Sequence, residues 1–412
     1  MLGNLLTYAA LYFGLFTALF FMVTFFENSG RLKNPEPRMF PKVTVAVAVY
    51  NGEDHISKTV ESLLNIDWPR EKLEVIIVDD GSTDNSYTAA KKYASDKRVV
   101  LLQQENRGKN KAVNVALKLA TGEFFGVLDV DSFVERDCLR KMMGYFENER
   151  VMAVTPSLKV YGAKTWLQKI QMMEFLLGVY LRKVFSFLGA IHVTPGCFSI
   201  YRKAFFDRTG PYDEENLTED IEVACRIQCN DYAIENAIDA NVYTQGFKKF
   251  GLLYNQRLRW YKGFIDNVIS YKRMLHPKFG NLGMFVLPSA FLSVFLTSLL
   301  SAYMLVKLGQ GLWKQFTVLK YTGFDLTQYL HYDFDLFYIS NFNAILILNL
   351  IALAWSITAV YLAKKHSGEK SSIILPFVIF MFTYVFLYPF WWAGAGYCRL
   401  TGKKIRWGNR YL

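Results

Sequence analysis

Short apolar runs alternate with amphipathic stretches over the first third of the chain. The strand-like runs share β-branched residues and end in polar turns, at residues 42–50, 73–80, 99–103 and 123–128. The stretches between them carry apolar residues at helical spacing, at residues 52–65, 86–94 and 109–120. Strands that alternate with helices in this order predict βαβ units and a parallel sheet. The predicted fold class is therefore α/β.

Four longer apolar runs carry no charged residue, and they predict membrane helices. They lie at residues 5–26, 282–306, 336–363 and 373–397. Each reaches the length of about 20 residues that a helix needs to cross a hydrocarbon core of about 30 Å. The first run is predicted to be a retained anchor, because no cationic segment precedes it and no small-residue cleavage site follows it.

These runs divide the chain into four parts. We predict an N-terminal transmembrane helix at residues 1–30 and a large soluble domain at residues 40–248. An amphipathic interfacial region follows at residues 249–280, and C-terminal transmembrane helices with a basic tail occupy residues 281–412. The soluble domain is thus inserted between membrane segments.

The formal net charge of +11 is by itself compatible with a nucleic-acid ligand. The basic residues flank the apolar runs instead of following one soluble face, so we predict no nucleic-acid partner. By the positive-inside rule, the basic clusters predict that residues 40–275 are cytoplasmic, in a multi-pass protein of the plasma membrane. The clusters consist of Arg31, Lys33 and Arg38 after the first run, and of Lys364, Lys365 and Lys370 after the third.

The C-terminal tail conflicts with this topology. Three spans after a cytoplasmic domain bring the C-terminus to the outside, yet the tail is basic. Two explanations remain open: either the last run, interrupted by Pro376 and Pro389, is a re-entrant hairpin, or the tail is an exception to the charge rule. The basic residues of the tail are Arg399, Lys403, Lys404, Arg406 and Arg410.

Polar motifs follow the predicted strands where each strand ends. Tyr50 and Glu53 belong to the turn after the first strand, and Asp79 and Asp80 end the second. In open parallel sheets, ligands bind beyond the carboxyl ends of the strands. A carboxylate at Asp79 or Asp80 can accept the N3–H of uracil, which favours a nucleotide site. The structural alternative is an Asp-Gly turn that caps the next helix.

Asp129 and Asp131 follow the fourth strand-like run, and Lys109 begins the helix before it. A hard divalent cation held by few carboxylates and by two phosphates fits Mg²⁺ or Mn²⁺. A turn that begins at the strand end can separate the two carboxylates, so that one binds the metal and the other orients the donor. Lys109 can neutralise phosphate or hydrogen-bond the base. Solvated strand-end acids and a solvated basic turn are the structural alternatives.

Asp220 follows Thr218 and Glu219 at the start of a predicted helix over residues 221–228. A carboxylate at a helix start beside an acceptor pocket can take the proton of an acceptor hydroxyl. Alternatively, Thr218 or Glu219 caps the helix and Asp220 stabilises its first turn.

The pattern Gln-x-x-Arg-Trp lies in a helical segment over residues 252–269, just before the second apolar run. Its bases and aromatic rings are typical of an interfacial helix. Arg259 also offers a planar fork for a diphosphate, and Trp260 offers a face on which a sugar ring can stack. Residues 164–189 predict a second interfacial segment.

The order of these motifs along nearly the whole chain resembles the membrane-embedded family 2 glycosyltransferases, which include poly-N-acetylglucosamine, chitin, hyaluronan and cellulose synthases. The Gln-x-x-Arg-Trp element is the most specific, since in this family it marks mostly processive synthases. One departure is Thr194-Pro195-Gly196-Cys197, where many members have Ser-Gly-Ala. The motifs that carry the resemblance are Asn51-Gly52-Glu53, Asp79-Asp80-Gly81-Ser82, Asn106-Arg107-Gly108-Lys109, Asp129-Val130-Asp131, Thr218-Glu219-Asp220 and Gln256-Arg257-Leu258-Arg259-Trp260.

The resemblance implies a GT-A (Rossmann-like) cytoplasmic catalytic domain, a UDP-sugar donor, Mg²⁺ or Mn²⁺, and inversion to a β-linkage. It implies that Asp220 is the catalytic base and that Asp131 binds the metal. Contacts with the donor are implied for Tyr50, Glu53, Asp79, Asp80, Lys109 and Asp129. Contacts with the acceptor or the diphosphate are implied for Glu219, Gln256, Arg257, Arg259 and Trp260.

The resemblance predicts a processive synthase that transfers N-acetylglucosamine from UDP-N-acetylglucosamine to a growing polysaccharide. Its predicted partners are the donor, a polysaccharide or glycolipid acceptor, and membrane lipids. Translocation of the polymer and an accessory membrane subunit are left open, because four spans are few for a channel. The alternatives are a transferase that adds one sugar to a lipid, like a ceramide glucosyltransferase, and a catalytically inactive transporter or sensor.

Overall fold

The computed structural model describes residues 2–323, 344–407 and 410–411. An eight-stranded sheet forms the centre of the soluble domain, and a two-stranded pair lies near the C-terminus. The strands of the sheet are β1 (Val43–Val49), β2 (Leu73–Asp80), β3 (Val99–Gln104), β4 (Phe124–Val127), β5 (Ser132–Val134), β6 (Val151–Tyr161), β7 (Ser199–Arg202) and β8 (Ala233–Gln245). The terminal pair consists of β9 (Arg406–Trp407) and β10 (Arg410–Tyr411).

The helices divide between the soluble domain and the apolar runs. Those of the soluble domain are α2 (Ile56–Leu64), α3 (Ser86–Lys91), α4 (Lys109–Leu119), α5 (Cys138–Met143), α6 (Trp166–Phe187), α7 (Lys203–Thr209), α8 (Glu219–Cys229) and α9 (Phe250–Ser270). Those of the apolar runs are α1 (Leu2–Glu27), α10 (Leu287–Tyr321), α11 (Ala344–Ser367) and α12 (Ile374–Thr401).

The sheet runs in the order β3-β2-β1-β4-β7-β6-β8-β5. Its first half is parallel, since β2 pairs with β3 and β1, and β1 pairs with β4. The predicted βαβ units are therefore confirmed. The second half is mixed, because β7 runs antiparallel to both β4 and β6. Strand β1 is buried along nearly its whole length, as expected for a parallel strand that is covered on both faces.

Two apolar cores cover the two faces of the sheet. On one face, Val60 and Leu63 of α2 pack with the valines of β1. On the other face, Val113 and Leu117 of α4 pack with Val223 of α8. Burial of such side chains stabilises the fold by about 1.5–3 kcal/mol each. Both faces of the sheet are therefore covered by apolar side chains, and the polar motifs lie at its carboxyl-terminal edge.

Helix α6 lies between the sheet and the apolar helices. It begins with a capping box, in which the side chain of Thr165 accepts a hydrogen bond from the backbone N–H of Gln168. On its other side, Met173 and Tyr180 belong to the same buried cluster as Phe25 of α1 and Ala363 of α11. The segment that the sequence predicts as interfacial thus joins the catalytic sheet to the apolar helices.

Four described helices are long and apolar enough to cross a membrane, which confirms the four predicted runs. They comprise Leu5–Glu27, Leu282–Tyr321, Ala344–Ser367 and Ile374–Thr401. The part of the third predicted run before residue 344 lies outside the described residues. The hairpin explanation for the last run is wrong, because α12 continues through Pro389 as one helix.

Candidate active site

One cavity of about 1270 Å³ opens at the carboxyl-terminal edge of the sheet. Strand ends and the first turns of α4 and α8 line one part of it, and helices α6, α9, α10 and α12 line the rest. The predicted site residues that line it are Tyr50, Asp80, Lys109, Asp129, Asp131, Glu219, Asp220, Gln256, Arg259 and Trp260. Residues from five of the six motifs, together with Tyr50, therefore meet in one space.

The carboxylate of Asp80 fixes the turn that leads into α4. Its Oδ1 accepts hydrogen bonds from the backbone N–H of Arg107 at 2.9 Å and from Nε2 of Gln104 at 2.7 Å, and its Oδ2 accepts from the N–H of Gly108 at 2.8 Å. Gly81, which follows, has a φ of +72°, and a Cβ there would lie 2.7 Å from the backbone nitrogen of Asn106. The Asp-Gly pair therefore holds two turns together at the edge of the cavity.

Lys109 links the end of β4 to the start of α8. Its Nζ lies 2.7 Å from Oδ1 of Asp129 and 2.8 Å from Oε1 of Glu219. Burial alone would lower the pKa of Lys109, but the two carboxylates outweigh it and raise that pKa well above its usual value. The ammonium group therefore stays charged and holds two acidic motifs beside each other.

Asp129 and Asp131 differ in their surroundings. The charge of Lys109 outweighs burial and lowers the pKa of Asp129, whose Oδ2 also accepts a hydrogen bond from Sγ of Cys197 at 3.2 Å. Burial and the charge of Asp129 raise the pKa of Asp131. Oδ1 of Asp131 accepts a hydrogen bond from Oγ of Ser132 at 3.1 Å. Among the described residues, Asp131 thus has no ion-pair partner comparable to Lys109 for Asp129.

Asp220 lies in the first turn of α8 and is half-buried. Its backbone carbonyl accepts a hydrogen bond from Oγ1 of Thr194 at 2.8 Å, and its own Oδ1 accepts one from the N–H of Ile221 at 3.0 Å. Burial and the neighbouring charge of Glu219 raise the pKa of Asp220 to about 6. Thr218 is the N-cap residue but makes no capping hydrogen bond with its side chain. The carboxylate of Asp220 is therefore placed for proton transfer near neutral pH.

Helix α9 crosses the start of α8 at close range. A Cβ on Gly263 would lie 2.3 Å from Oγ1 of Thr218, and Nδ2 of Asn267 donates to the same oxygen at 3.0 Å. One turn before this crossing, Nη1 of Arg259 donates to the backbone carbonyl of Leu217 at 2.8 Å. The crossing places the Gln-x-x-Arg-Trp element beside the acidic turn of α8.

The comparisons with known proteins agree with this arrangement. Residues 44–210 match the model of the Glycosyl transferase family 2. The chain contains a family 2 glycosyltransferase domain. It is 28% identical over 375 residues to a poly-beta-1,6-N-acetyl-D-glucosamine synthase of Staphylococcus epidermidis, a match that covers 88% of this chain and 83% of the relative.

Two further matches describe the range of this glycosyltransferase's relatives. A beta-monoglucosyldiacylglycerol synthase of Nostoc is 31% identical over 236 residues, which is 56% of this chain and 50% of the relative. The fold is similar to that of a mannosyltransferase from Pyrobaculum calidifontis, solved in complex with GDP-Man and Mn²⁺, with a TM-score of 0.60 and 19% identity. That likeness covers 98% of this chain and 100% of the solved one, and the predicted GT-A fold is confirmed.

Three predicted residues of the glycosyltransferase do not line the cavity. Oε2 of Glu53 accepts a hydrogen bond from the N–H of Asn85 at 2.8 Å, before α3. Asp79 is buried, and its Oδ2 accepts from Nε2 of Gln103 at 3.2 Å. Arg257 is fully buried, and its Nη2 lies 2.5 Å from Oε2 of Glu174 on α6. Each of these three side chains therefore makes a polar contact within the fold, away from the cavity.

Several residues that line the cavity escaped the sequence prediction. Arg182 of α6 faces the cavity, and among the described residues its guanidinium makes no hydrogen bond or ion pair. Gly196 permits a close approach, since a Cβ there would lie 2.9 Å from Nζ of Lys109. Tyr388 and Trp392 of α12 form part of the wall opposite the sheet. In the sequence, the departure at Thr194-Pro195-Gly196-Cys197 pointed to Gly196. No sequence motif pointed to Arg182, Tyr388 or Trp392.

Proposed function

We propose that the protein is an inverting, processive β-glycosyltransferase of the plasma membrane that transfers N-acetylglucosamine from UDP-N-acetylglucosamine to a growing polysaccharide on the cytoplasmic side. The observation that carries this proposal is the single cavity, which joins Asp129 and Asp131 to Asp220 and then to Trp260. The match over most of the chain to a poly-N-acetylglucosamine synthase supports the choice of donor.

The donor binds at the strand ends. Tyr50 and Asp80 line this part of the cavity and contact the nucleotide. Asp129 orients the sugar, because Lys109 and Cys197 fix both of its oxygens. Lys109 also brings a positive charge beside the diphosphate, which a flexible surface lysine would do less effectively.

Asp131 suits a divalent cation. No group of three metal-ligating side chains occurs among the described residues, so these residues alone do not enclose an ion. Mg²⁺ and Mn²⁺ instead take one or two carboxylates together with phosphate oxygens and water. Burial and the nearby charge of Asp129 raise the pKa of Asp131, and a bound cation would offset both. When bound, the cation stabilises the charge of the leaving diphosphate.

Asp220 acts as the base of a single displacement. It accepts the proton of the acceptor hydroxyl while that oxygen bonds to the anomeric carbon and the bond from this carbon to the diphosphate breaks, which releases UDP. Attack from the side opposite the leaving group inverts the anomeric centre. The hydrogen bond from Thr194 to the backbone of Asp220 keeps the carboxylate in place.

The acceptor lies along α9 and α6. Trp260 lines the cavity with Gln256 and Arg259, and its indole offers a stacking surface for a sugar ring. The guanidinium of Arg257 stacks on Trp260 from behind, at 4.2 Å from the ring centroid, and pairs with Glu174. The buried ion pair therefore fixes the orientation of the stacking ring.

The experiment is to incubate detergent-purified protein with Mg²⁺ or Mn²⁺ and a panel of UDP- and GDP-sugars, to measure nucleotide release and to size the product. The proposal predicts release from UDP-N-acetylglucosamine together with a long polymer. Release only from another donor would reject the proposed substrate. Release without transfer to any saccharide would reject the synthase function.

A second function is favoured by the apolar side of the cavity. Val286, Ala290 and Val294 line it where α10 begins, a composition that suits acyl chains. One relative synthesises beta-monoglucosyldiacylglycerol. Transfer of one sugar to a lipid is therefore the alternative, and a short lipid-linked product in the same assay would establish it.

A further inference from the structure

Helix α12 meets the catalytic domain at its start. The connection from α11 to α12 is tied to strand β6, because Nζ of Lys159 donates to the backbone carbonyl of Ser367 at 2.6 Å and lies 3.7 Å from Oε2 of Glu369. Lys159 itself is almost fully buried in the sheet. The first residues of α12 continue this contact, since Phe377 packs on the cluster that contains Tyr180 of α6.

The middle of α12 follows α6 over the same domain. The hydroxyl of Tyr384 donates to Oε1 of Glu174 at 3.0 Å. Two turns later, Trp391 is almost fully buried against Leu167 at the start of α6 and Leu253 of α9. Helix α12 therefore runs antiparallel to α6 along the length of that helix.

The end of α12 also lies on the catalytic domain. Nε of Arg399 lies 2.6 Å from Oδ1 of Asp266 on α9. Cys398 and Ile405 are buried in one cluster with Leu258 of the same helix. Helix α9 is in turn fixed to α8 by its close crossing at Gly263.

These contacts favour a position of α12 along the catalytic domain over a membrane crossing. A spanning helix separates its ends by a hydrocarbon core of about 30 Å, with the two ends on opposite sides. The connection before α12, the middle of α12 and its end contact β6, α6 and α9, respectively. We propose that α12 lies flat against the catalytic domain in the adjoining leaflet of the membrane, and that the C-terminal tail is on the same side as the catalytic domain.

The outward face of α12 identifies its partner as lipid acyl chains. Large apolar and aromatic residues of α12 are exposed, and most of them recur at helical spacing along one side: Ile374, Leu375, Val378, Met381, Phe382, Phe386, Phe390, Tyr397 and Leu400. The basic residues Lys403 and Lys404 follow directly and suit lipid phosphates.

This placement removes the conflict between the basic tail and the positive-inside rule. With α12 in the plane of the membrane, only α10 and α11 cross after the catalytic domain, so the chain returns to the side from which it started. Tyr388 and Trp392 of α12 line the cavity in this placement. The inference does not depend on which donor or acceptor the enzyme uses.

The first test compares two engineered cysteines in full-length protein in sealed membrane vesicles. Lys404→Cys reports on the tail, and Lys97→Cys, on the surface of the catalytic domain, is the matched control. Both are placed in a Cys229→Ser background, because the other native cysteines are buried. A membrane-impermeant maleimide is expected to label both positions in the same vesicles and neither in vesicles of the opposite orientation. Labelling of the two positions in opposite vesicles would overturn the proposal.

A second test measures the depth of α12 in the bilayer. Spin labels on Leu375→Cys, Phe382→Cys and Phe390→Cys report accessibility to oxygen and to a water-soluble nickel chelate. A flat helix predicts similar shallow depths at all three positions. A depth that passes through a maximum at Phe382→Cys would show a crossing, and exclusion of both reagents at all three positions would show a protein partner on this face. Either result would contradict the proposal.

Discussion

The two ends of the cavity are built in different ways. At the proposed donor end, strand ends and tight turns hold carboxylates through backbone N–H groups, as Asp80 shows. At the proposed acceptor end, helices that are distant in sequence meet through side chains, as the contact of Tyr384 with Glu174 shows. The donor end therefore depends on local backbone geometry, and the acceptor end depends on the packing of α6, α9 and α12.

This difference separates residues that are proposed to take part in the reaction, such as Asp220, from residues that stabilise the fold, such as Arg257. Asp220 has a hydrogen-bonded backbone and a carboxylate that lines the cavity. Arg257 lies on the adjacent helix with its charge buried against Glu174. Substitution of Asp220 should lower turnover at constant stability. Substitution of Arg257 should lower stability, and any loss of turnover should follow from displacement of the Trp260 ring.

The largest expected effect is that of Asp220→Asn on turnover. Loss of a positioned base typically costs about 10²–10⁴-fold, and UDP binding should be retained because the donor contacts are unchanged. Turnover and UDP affinity are measured on the same preparation. Asp207→Asn, an exposed acid of α7, is the matched control and should behave like the parent. Appreciable turnover of Asp220→Asn would refute the base assignment.

Arg257→Met is expected to lower the free energy of unfolding by about 3 kcal/mol, because it leaves Glu174 partly buried without its cation. The double variant Arg257→Met with Glu174→Leu should recover much of this loss, since the pair is then replaced by apolar contacts. Thermal unfolding in detergent measures both. Loss of turnover by Arg257→Met at unchanged stability would instead support the sequence prediction that Arg257 contacts the acceptor or the diphosphate.

Asp131→Asn should weaken donor binding only when a divalent cation is present. The lost charge-assisted contact is worth about 1.5–3 kcal/mol, which corresponds to about 10–100-fold in affinity. Titration of UDP-sugar with and without Mn²⁺ measures the difference. The exposed Asp137→Asn is the control, and equal weakening in both conditions would argue against a metal at Asp131.

The smallest expected effect is a shift in pH dependence. Turnover should rise with pH through about pH 6, because Asp220 must lose its proton to act as a base and its pKa is raised to about 6. Arg182 is a cation whose charge interacts with Asp220, so Arg182→Gln should raise the pKa of Asp220 and move the acidic limb to higher pH. Lys169→Gln on the same helix is the control. If the acidic limb of the pH profile does not move, a group other than Asp220 controls it.

The sequence predicts the donor end well because the carboxyl ends of neighbouring parallel strands meet at one edge. Asp80 and Asp129 could therefore be placed together from the strand pattern alone. Helix α9 shows the limit. Arg257 and Arg259 are two residues apart and point to different sides of the helix. Both sides carry aromatic residues, so the spacing does not tell which arginine faces the cavity.

The part of the cavity wall formed by α12 could not be predicted from the sequence, for a different reason. Length and hydropathy are the same for a helix that crosses a membrane and for this one, which packs along a protein surface. The distinction rests on contacts such as that of Arg399 with Asp266, which join residues far apart in the chain. In the sequence, the basic C-terminal tail was the feature that a membrane crossing by α12 did not explain.

The most direct test of the two-ended cavity is to measure donor hydrolysis and sugar transfer in Trp260→Ala. The ring lies at the proposed acceptor end, away from the donor-side carboxylates, so hydrolysis of the UDP-sugar should continue. Transfer to the acceptor should fall by about tenfold, which corresponds to the loss of one stacking contact of about 1.4 kcal/mol. A parallel fall of hydrolysis and transfer at unchanged stability would contradict the separation of donor and acceptor ends.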